Sequence, residues 1–378
     1  MARTIAIVVA AASLLAGPTA RAAARIEPLL RLDLEGRWDE NLVDDGGDLS
    51  SLVRPGIGAR IVSPTASAEA IYLPDGLFFA GGGERRGGVN HRLLGEQAAR
   101  FGRRTELQLS ERFERAFDPT ALSRPGVLRT TGPSSFAEFQ GDLSHRVART
   151  WTVGLAMREE IVRVEEANTA DGAVHAPGGW LAWSAGPRDT FLLLYRHQYF
   201  AFARGPDAAA HEPRLAWRHR LTRHLRFELE GGPGIHLGEA EPVAIPVGRA
   251  SISHRRPGLT LSLDVERTLF GATGFRGAVW GESGAAVAIW RPARRWEATV
   301  VLGAFRNGAA PDRPAFVLGW TGAAGVSYAL SPDLSVRIGW RRIVQDQLRE
   351  GDLPALGISR NIVGIGLSWE LGRDTRAR

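Results

Sequence analysis

The chain has no cysteine and no lysine. Without cysteine there is no disulfide framework, no thiol nucleophile and no lipoprotein anchor on a cysteine sulfur. All 47 basic residues are arginine, so the positive charge does not titrate in any accessible range. No apolar run of about 18 residues follows the N-terminal segment, which excludes a helical membrane span. Heptads, long linkers and a second compositional domain are also missing. The nine histidines are scattered, and none pairs at a metal-ligand spacing on a convincing helix. The glycine-rich stretch 81–88 lacks the Gly-Lys-Ser/Thr of a phosphate loop and reads as an outer loop. The formal charge is +6, but Arg is interleaved with Asp and Glu along the whole chain. That dispersion sets nucleic acid aside as a partner. Ser144-His145 and Ser253-His254 are adjacent pairs, which a strand sends to opposite faces, so neither forms a local dyad. No catalytic, cofactor or metal residue is assigned, and the chain does not read as an enzyme.

What is present is an export pattern followed by strands. Residues 1–24 carry Arg3, an apolar run from Ile5 to Ala16 and small-x-small sites at 20–24, the signature of a secretory signal peptide. Removing it takes away Arg3 and Arg21 and brings the formal charge to +4. Residues 25–378 then form one unit. Asn361 to Leu371 shows its pattern most clearly: Val363, Ile365, Leu367, Trp369 and Leu371 alternate with Gly364, Gly366, Ser368 and Glu370. Period-2 alternation puts these sets on opposite faces of a sheet. The same alternation recurs back to Leu30, Leu32 and Leu34, which oppose Arg31, Asp33 and Glu35.

The strand-like stretches are 29–42, 51–63, 66–73, 89–101, 103–116, 135–148, 151–166, 173–186, 189–203, 208–222, 225–238, 244–256, 259–271, 275–292, 296–307, 315–330, 334–347 and 359–371. Most are long enough to cross a hydrocarbon core at a tilt, which takes about 9–11 residues. Tight links such as Ser63-Pro64-Thr65 and Arg256-Pro257-Gly258 alternate with longer ones such as 74–88 and 117–134. Short turns on one side and longer loops on the other are the asymmetry of a transmembrane β-barrel. The fold class expected is therefore all-β, an antiparallel up-and-down barrel of about 18 strands, with 16 or 14 as alternatives. Both termini then lie on the short-turn, periplasmic side. Pro55, Pro177, Pro213, Pro233 and Pro246 are expected near the outer rim, where a missing ladder donor matters least. Trp151, Trp290, Trp296 and Trp369 are expected as an aromatic girdle at the opposite rim.

In such a barrel the polar set faces the lumen. The candidate pore-lining residues are Arg31, Asp33, Glu35, Glu106, Arg112, Glu114, Arg226, Glu228, Glu230, Asp264, Glu266, Arg337 and Arg341. Opposed charges can stiffen the wall as ion pairs or set ion preference in a water-filled pore. The longest connection, 117–134, is the third outer loop, and Asp118, Arg124 and Arg129 are its candidate constriction charges. At 16 to 18 strands a barrel is wide enough for an aqueous channel. The reading is an outer-membrane porin-like channel for small polar solutes or saccharides. The alternatives are a non-conducting accessory barrel of exopolysaccharide export or surface assembly and, third, an outer-leaflet enzyme. Expected partners are outer-membrane lipid, lipopolysaccharide, the barrel-assembly machinery and polysaccharide; the oligomeric state stays open.

Two early segments carry a resemblance. Gly36-Arg37-Trp38-Asp39-Glu40-Asn41-Leu42 leads to Asp48-Leu49-Ser50-Ser51-Leu52-Val53-Arg54-Pro55-Gly56-Ile57, and Leu107 to Thr120 follows. An acidic-Asn turn and then V-x-P-G-h resembles the β-barrel porins of the porin 2 type. It also resembles the barrels associated with exopolysaccharide and PEP-CTERM systems of Gram-negative bacteria. The likeness covers the first third of the chain; the long Gly-rich second loop departs from it. It implies fold and location and carries no catalytic residue.

Overall fold

In the computed structural model the described residues are 24–40, 47–80, 87–117, 133–165, 171–203, 207–238, 241–271, 278–309, 315–347 and 357–371. The signal segment and the candidate constriction residues Asp118, Arg124 and Arg129 lie outside them. The strands are β1 (Arg25–Glu40), β2 (Gly47–Val62), β3 (Ala66–Phe79), β4 (Gly88–Phe101), β5 (Thr105–Ala116), β6 (Ser134–Arg146), β7 (Trp151–Val164), β8 (Gly172–Ser184) and β9 (Asp189–Phe202). They continue with β10 (Ala208–Arg220), β11 (Leu225–Leu237), β12 (Val243–Arg256), β13 (Leu259–Gly271), β14 (Ala278–Ala293), β15 (Trp296–Ala309), β16 (Ala315–Ala329), β17 (Leu334–Gln347) and β18 (Ile358–Leu371). Each pairs antiparallel with its sequence neighbours, and β1 also pairs with β18. The result is a closed 18-stranded barrel with no edge strand, so every strand has a ladder partner on both sides. No helix occurs among the described residues.

The closing ladder β18–β1 runs from Leu30↔Leu371 to Glu40↔Asn361. Its rungs show why the two faces differ. Leu32 opposes Trp369, Leu34 opposes Leu367 and Trp38 opposes Val363, while Asp33 opposes Ser368 and Glu35 opposes Gly366. The first set is exposed on the outside of the wall; Asp33 on the inside is 1% exposed. Large apolar side chains are exposed around the whole circumference, from Ile57 and Leu155 to Leu215, Leu263 and Ile338. A water-soluble fold buries such groups.

Connections of two to four residues alternate with connections of five to seventeen. Arg25 and Leu371 both lie at the short-turn end. Two short turns use glycine in the left-handed region, Gly102 (φ 67°) and Gly258 (φ 76°). Pro257-Gly258 in the two-residue β12–β13 link is the sequence of a type II turn, whose third position requires positive φ.

Two expectations change. β3 runs on to Phe79, where the sequence suggests an end at Leu73, and β2 starts at Gly47. Pro55 therefore sits mid-strand. Its neighbour across the wall is Pro74, and the β2–β3 ladder skips that position, running from Val53↔Gly76 to Ile57↔Tyr72. Neither proline has an N–H to lose, so facing each other costs one gap instead of two. Pro233↔Pro246 repeats the device on β11 and β12. Trp151, Trp290, Trp296 and Trp369 are exposed on the outer wall beside the short turns.

The apolar core lies inside one part of the lumen. Val174, Phe200, Phe202, Ala208, Ala210 and Ile245 from β8, β9, β10 and β12 cluster with Leu269, Ala278 and Trp280 from β13 and β14. β13 leaves the β12 ladder after Arg267 and contacts β8. The β13–β14 ends thus lean over the lumen on that side, toward the long-loop end.

Candidate functional site: the charged lumen

All thirteen candidate pore-lining residues fall on the inward parity of their strands. Most are ion-paired. On β1, Arg31 Nε donates to Asp33 Oδ2 at 2.9 Å, and Arg54 of β2 reaches the same oxygen at 3.5 Å. Ser368 Oγ donates to Asp33 Oδ1 at 2.5 Å. Glu35 takes Arg37 at 2.9 Å and Arg337 at 3.6 Å. Glu114 holds Arg92 at 2.7 Å and Arg112 at 3.0 Å. Glu106 meets Arg100 at 3.0 Å, Glu228 meets Arg218 at 3.1 Å, Glu230 meets Arg214 at 2.6 Å and Asp264 meets Arg249 at 2.6 Å. Glu266 stands opposite Arg249 in the ladder. Arg341 lines a recess of about 460 Å³ with Glu35, Arg37 and Arg337.

Arg226 differs. Its ladder partner is Arg220, and like charges directly opposite destabilise a sheet. With Arg188 and Arg223 the two line a pocket of about 340 Å³ at the short-turn mouth. None of the four has a carboxylate within ion-pair distance among the described residues.

The most buried part of the lumen is one that residue patterns did not single out. Glu212 of β10 is 0% exposed. It accepts from Arg196 at 2.5 Å, Arg214 at 2.6 Å and Gln198 at 2.7 Å. Arg214 continues to Glu230, and Arg196 Nη2 donates across to Thr268 Oγ1 of β13 at 3.1 Å. The network sits where β13 leans over and ties that approach to β9 and β10. Arg158 bridges Glu138 (3.0 Å) and Glu160 (2.5 Å), and Arg54 also pairs with Asp75. Arg360 Nε donates to Asp39 Oδ1 at 2.8 Å, closing the β18–β1 seam near the long-loop end. The signal for these was strict parity: Glu212 and Arg214 alternate with His211, Pro213 and Leu215. The Ala-rich start of β10 hid it.

An aromatic outside the apolar cluster also enters the lumen. Trp180 of β8 lies flat across Gly154 of β7, where an added Cβ would come within 2.1 Å of its ring. Its Nε1 donates to Asp142 at 3.0 Å. Trp180 and Asp142 help to line a recess of about 690 Å³ with Arg60, Glu96, Gln108 and Arg158. The facing wall is different. β14, β15 and β16 present Ser283, Ala285, Thr299, Gly303, Thr321 and Ser327 inward, and the pair Arg291–Glu297 stands near the short-turn end. The lumen is therefore lopsided: most strands from β1 to β13, and β17, carry inward charges, whereas the inward positions of β14–β16 named here are uncharged apart from Arg291 and Glu297. No group of three metal-ligating side chains occurs among the described residues.

No protein-family model matches the chain, and no curated protein matches it. Among solved structures it is similar to a BenF-like porin from Pseudomonas fluorescens Pf-5, with a TM-score of 0.48 and 13% identity over 92% of this chain and 99% of that one. It is similar also to Pseudomonas aeruginosa OpdL (0.45, 13%, 93% and 99%) and to Pseudomonas aeruginosa OpdK solved with vanillate (0.46, 10%, 91% and 98%). At these values no residue role is carried across, and the fold rests on the ladder closure itself.

Proposed function

We propose that this barrel is an outer-membrane channel for small hydrophilic solutes. The observation that carries the reading is the inversion of the wall: large apolar side chains exposed outside, arginine–carboxylate pairs inside. An apolar outer band satisfies a bilayer, and a charged interior needs water to hydrate it. The lumen charges are mostly paired within the wall, which stiffens it and leaves little net field from those pairs. The neutral wall of β14–β16 beside the charged one suits polar solutes that carry hydroxyls. Saccharides are one such class, and that assignment is the finer part of the proposal. The residues assigned to the pore wall are the thirteen above together with Arg60, Asp142, Arg158 and Trp180. The test is single-channel conductance of the refolded chain in a planar bilayer, with liposome swelling in sugars of graded size. Stable steps and sugar-dependent swelling are expected.

A second reading is favoured by the apolar cluster under β13 and β14, which fills part of the lumen: a non-conducting accessory barrel. Silence from a protein shown to be folded and inserted would overturn the channel and leave this one.

A further inference from the structure

The outer wall is interrupted at β2–β6. Ala59, Ala70, Gly95 and Ala137 face outward there, where other strands carry Leu, Val or Ile. Tyr72, Phe113 and Phe139 stand around them, and the small residues leave a groove of about 590 Å³ on the outer wall. Glu111 lies in it, midway along β5 between Leu109 and Phe113 on the outward parity. No hydrogen bond or ion pair reaches its carboxyl from the described residues. The nearest cation in sequence, Arg112, points inward and is bound to Glu114. A mid-wall carboxyl without a partner is unfavourable against lipid. Small residues at the same place are what lets two membrane proteins approach closely.

The placement is self-complementary. Tyr72 of β3 shares a rung with Leu93 of β4, and Glu111 of β5 shares one with Gly95 of β4. Rungs climb toward the long-loop end with strand number, as Leu371 at the foot of β18 shows by meeting Leu30 and not Arg25. The two-residue step from Leu93 down to Gly95 cancels that climb. Tyr72 and Glu111 therefore flank β4 at nearly the same height. A two-fold axis along the membrane normal through β4 brings Tyr72 of one copy to Glu111 of the other, twice. The Tyr72 hydroxyl has His91 Nδ1 at 2.7 Å; with that nitrogen donating, the hydroxyl proton is available to a carboxylate.

We propose that the β2–β6 face is a two-fold interface between copies of this chain in the membrane, with Tyr72 of each donating to Glu111 of the other. The proposal rests on the membrane reading above. Because the chain has no cysteine, single-cysteine variants report contacts cleanly. A Cβ at Gly95 meets only ordinary contacts, the nearest at 3.6 Å, so Gly95→Cys fits the monomer. In proteoliposomes, oxidation of Gly95→Cys is expected to give a covalent dimer, while Val300→Cys on the outward face of β15 stays monomeric. Adding Tyr72→Phe to Gly95→Cys removes both symmetry-related hydrogen bonds and is expected to lower the dimer yield by at least about fivefold, the lower end for two lost hydrogen bonds. Equal cross-linking at Val300→Cys would mean random collision and overturn the interface. So would monomers in every variant from barrels shown to be inserted and conducting, or native mass spectra of a monomer with lipid retained in the groove. A Tyr72→Phe variant that cross-links as well as its parent overturns the Tyr72–Glu111 contact. Failure to insert into any bilayer would instead fall on the membrane reading.

Discussion

Glu212 shows what a single side chain decides here. In the buried part of the lumen it is shared by two guanidiniums and an amide. Removing it leaves Arg214, 6% exposed at its side chain, with Glu230 alone. Breaking a buried pair by deleting one partner costs about 3–5 kcal/mol. Glu212→Ala is expected near that range, read from the urea midpoint of refolded barrels in lipid vesicles. Glu106, whose side chain is 48% exposed and faces Arg100 at 71%, is the contrast. Exposed pairs contribute about 0–1 kcal/mol, and Glu106→Ala is expected within that. On the outer face, Ile338 is 57% exposed between the Val336 and Trp340 positions of β17. Ile338→Arg is expected to cost about 2–4 kcal/mol in vesicles, the lipid-face penalty near the midplane. The alternation of residues already separated these cases by face. It did not separate Glu212 from Glu106, because parity says which way a side chain points and not what covers it.

At the scale of strands and turns, Gly258 is held at φ 76°, and a Cβ there would come within 2.9 Å of the Arg291 carbonyl oxygen. The left-handed conformation costs an L-residue about 1–2 kcal/mol. Gly258→Ala is expected to lower the unfolding free energy by at least that much. Gly102 has open space around it, so Gly102→Asn, which tolerates the same region, is expected to cost little. On the connection from β9 to β10, Asp207 is held below the usual carboxylate range, first by the Tyr199 hydroxyl and then by the Phe202 amide. A depressed folded-state pKa contributes stability above the unfolded value, and the contribution is lost as pH falls through the folded one. Wild type is expected to lose more stability than Asp207→Asn between pH 6 and pH 3. Urea titrations at both values check this. Strand positions were legible in the sequence to within a few residues. The end that moved furthest is at a proline: β3 continues through Pro74 because Pro55 faces it, and no one-strand signal shows such a pairing.

For the whole molecule, Arg188, Arg220, Arg223 and Arg226 line the short-turn mouth with no carboxylate within ion-pair distance among the described residues. Unpaired cations in a pore mouth favour anions. Replacing Arg220 and Arg226 with serine is expected to move the reversal potential in a salt gradient toward cations, with the conductance steps retained. An unchanged potential would place these arginines outside the ion path. While the closed ladder chose 18 strands over the alternatives of 16 and 14, the sequence by itself determined the all-β class, the alternation of short and long connections and the face of the strand residues. Those follow from local physics: a two-residue period, turn chemistry and the length needed to cross a bilayer. The tertiary structure alone decided the closing seam of β1 on β18, the Glu212 network and the lean of β13 over the lumen. It also decided the lopsided charge of the interior and the groove around Glu111. Each depends on register between strands far apart in sequence. One strand's pattern is the same in any register, so only the closed ladder could choose among them.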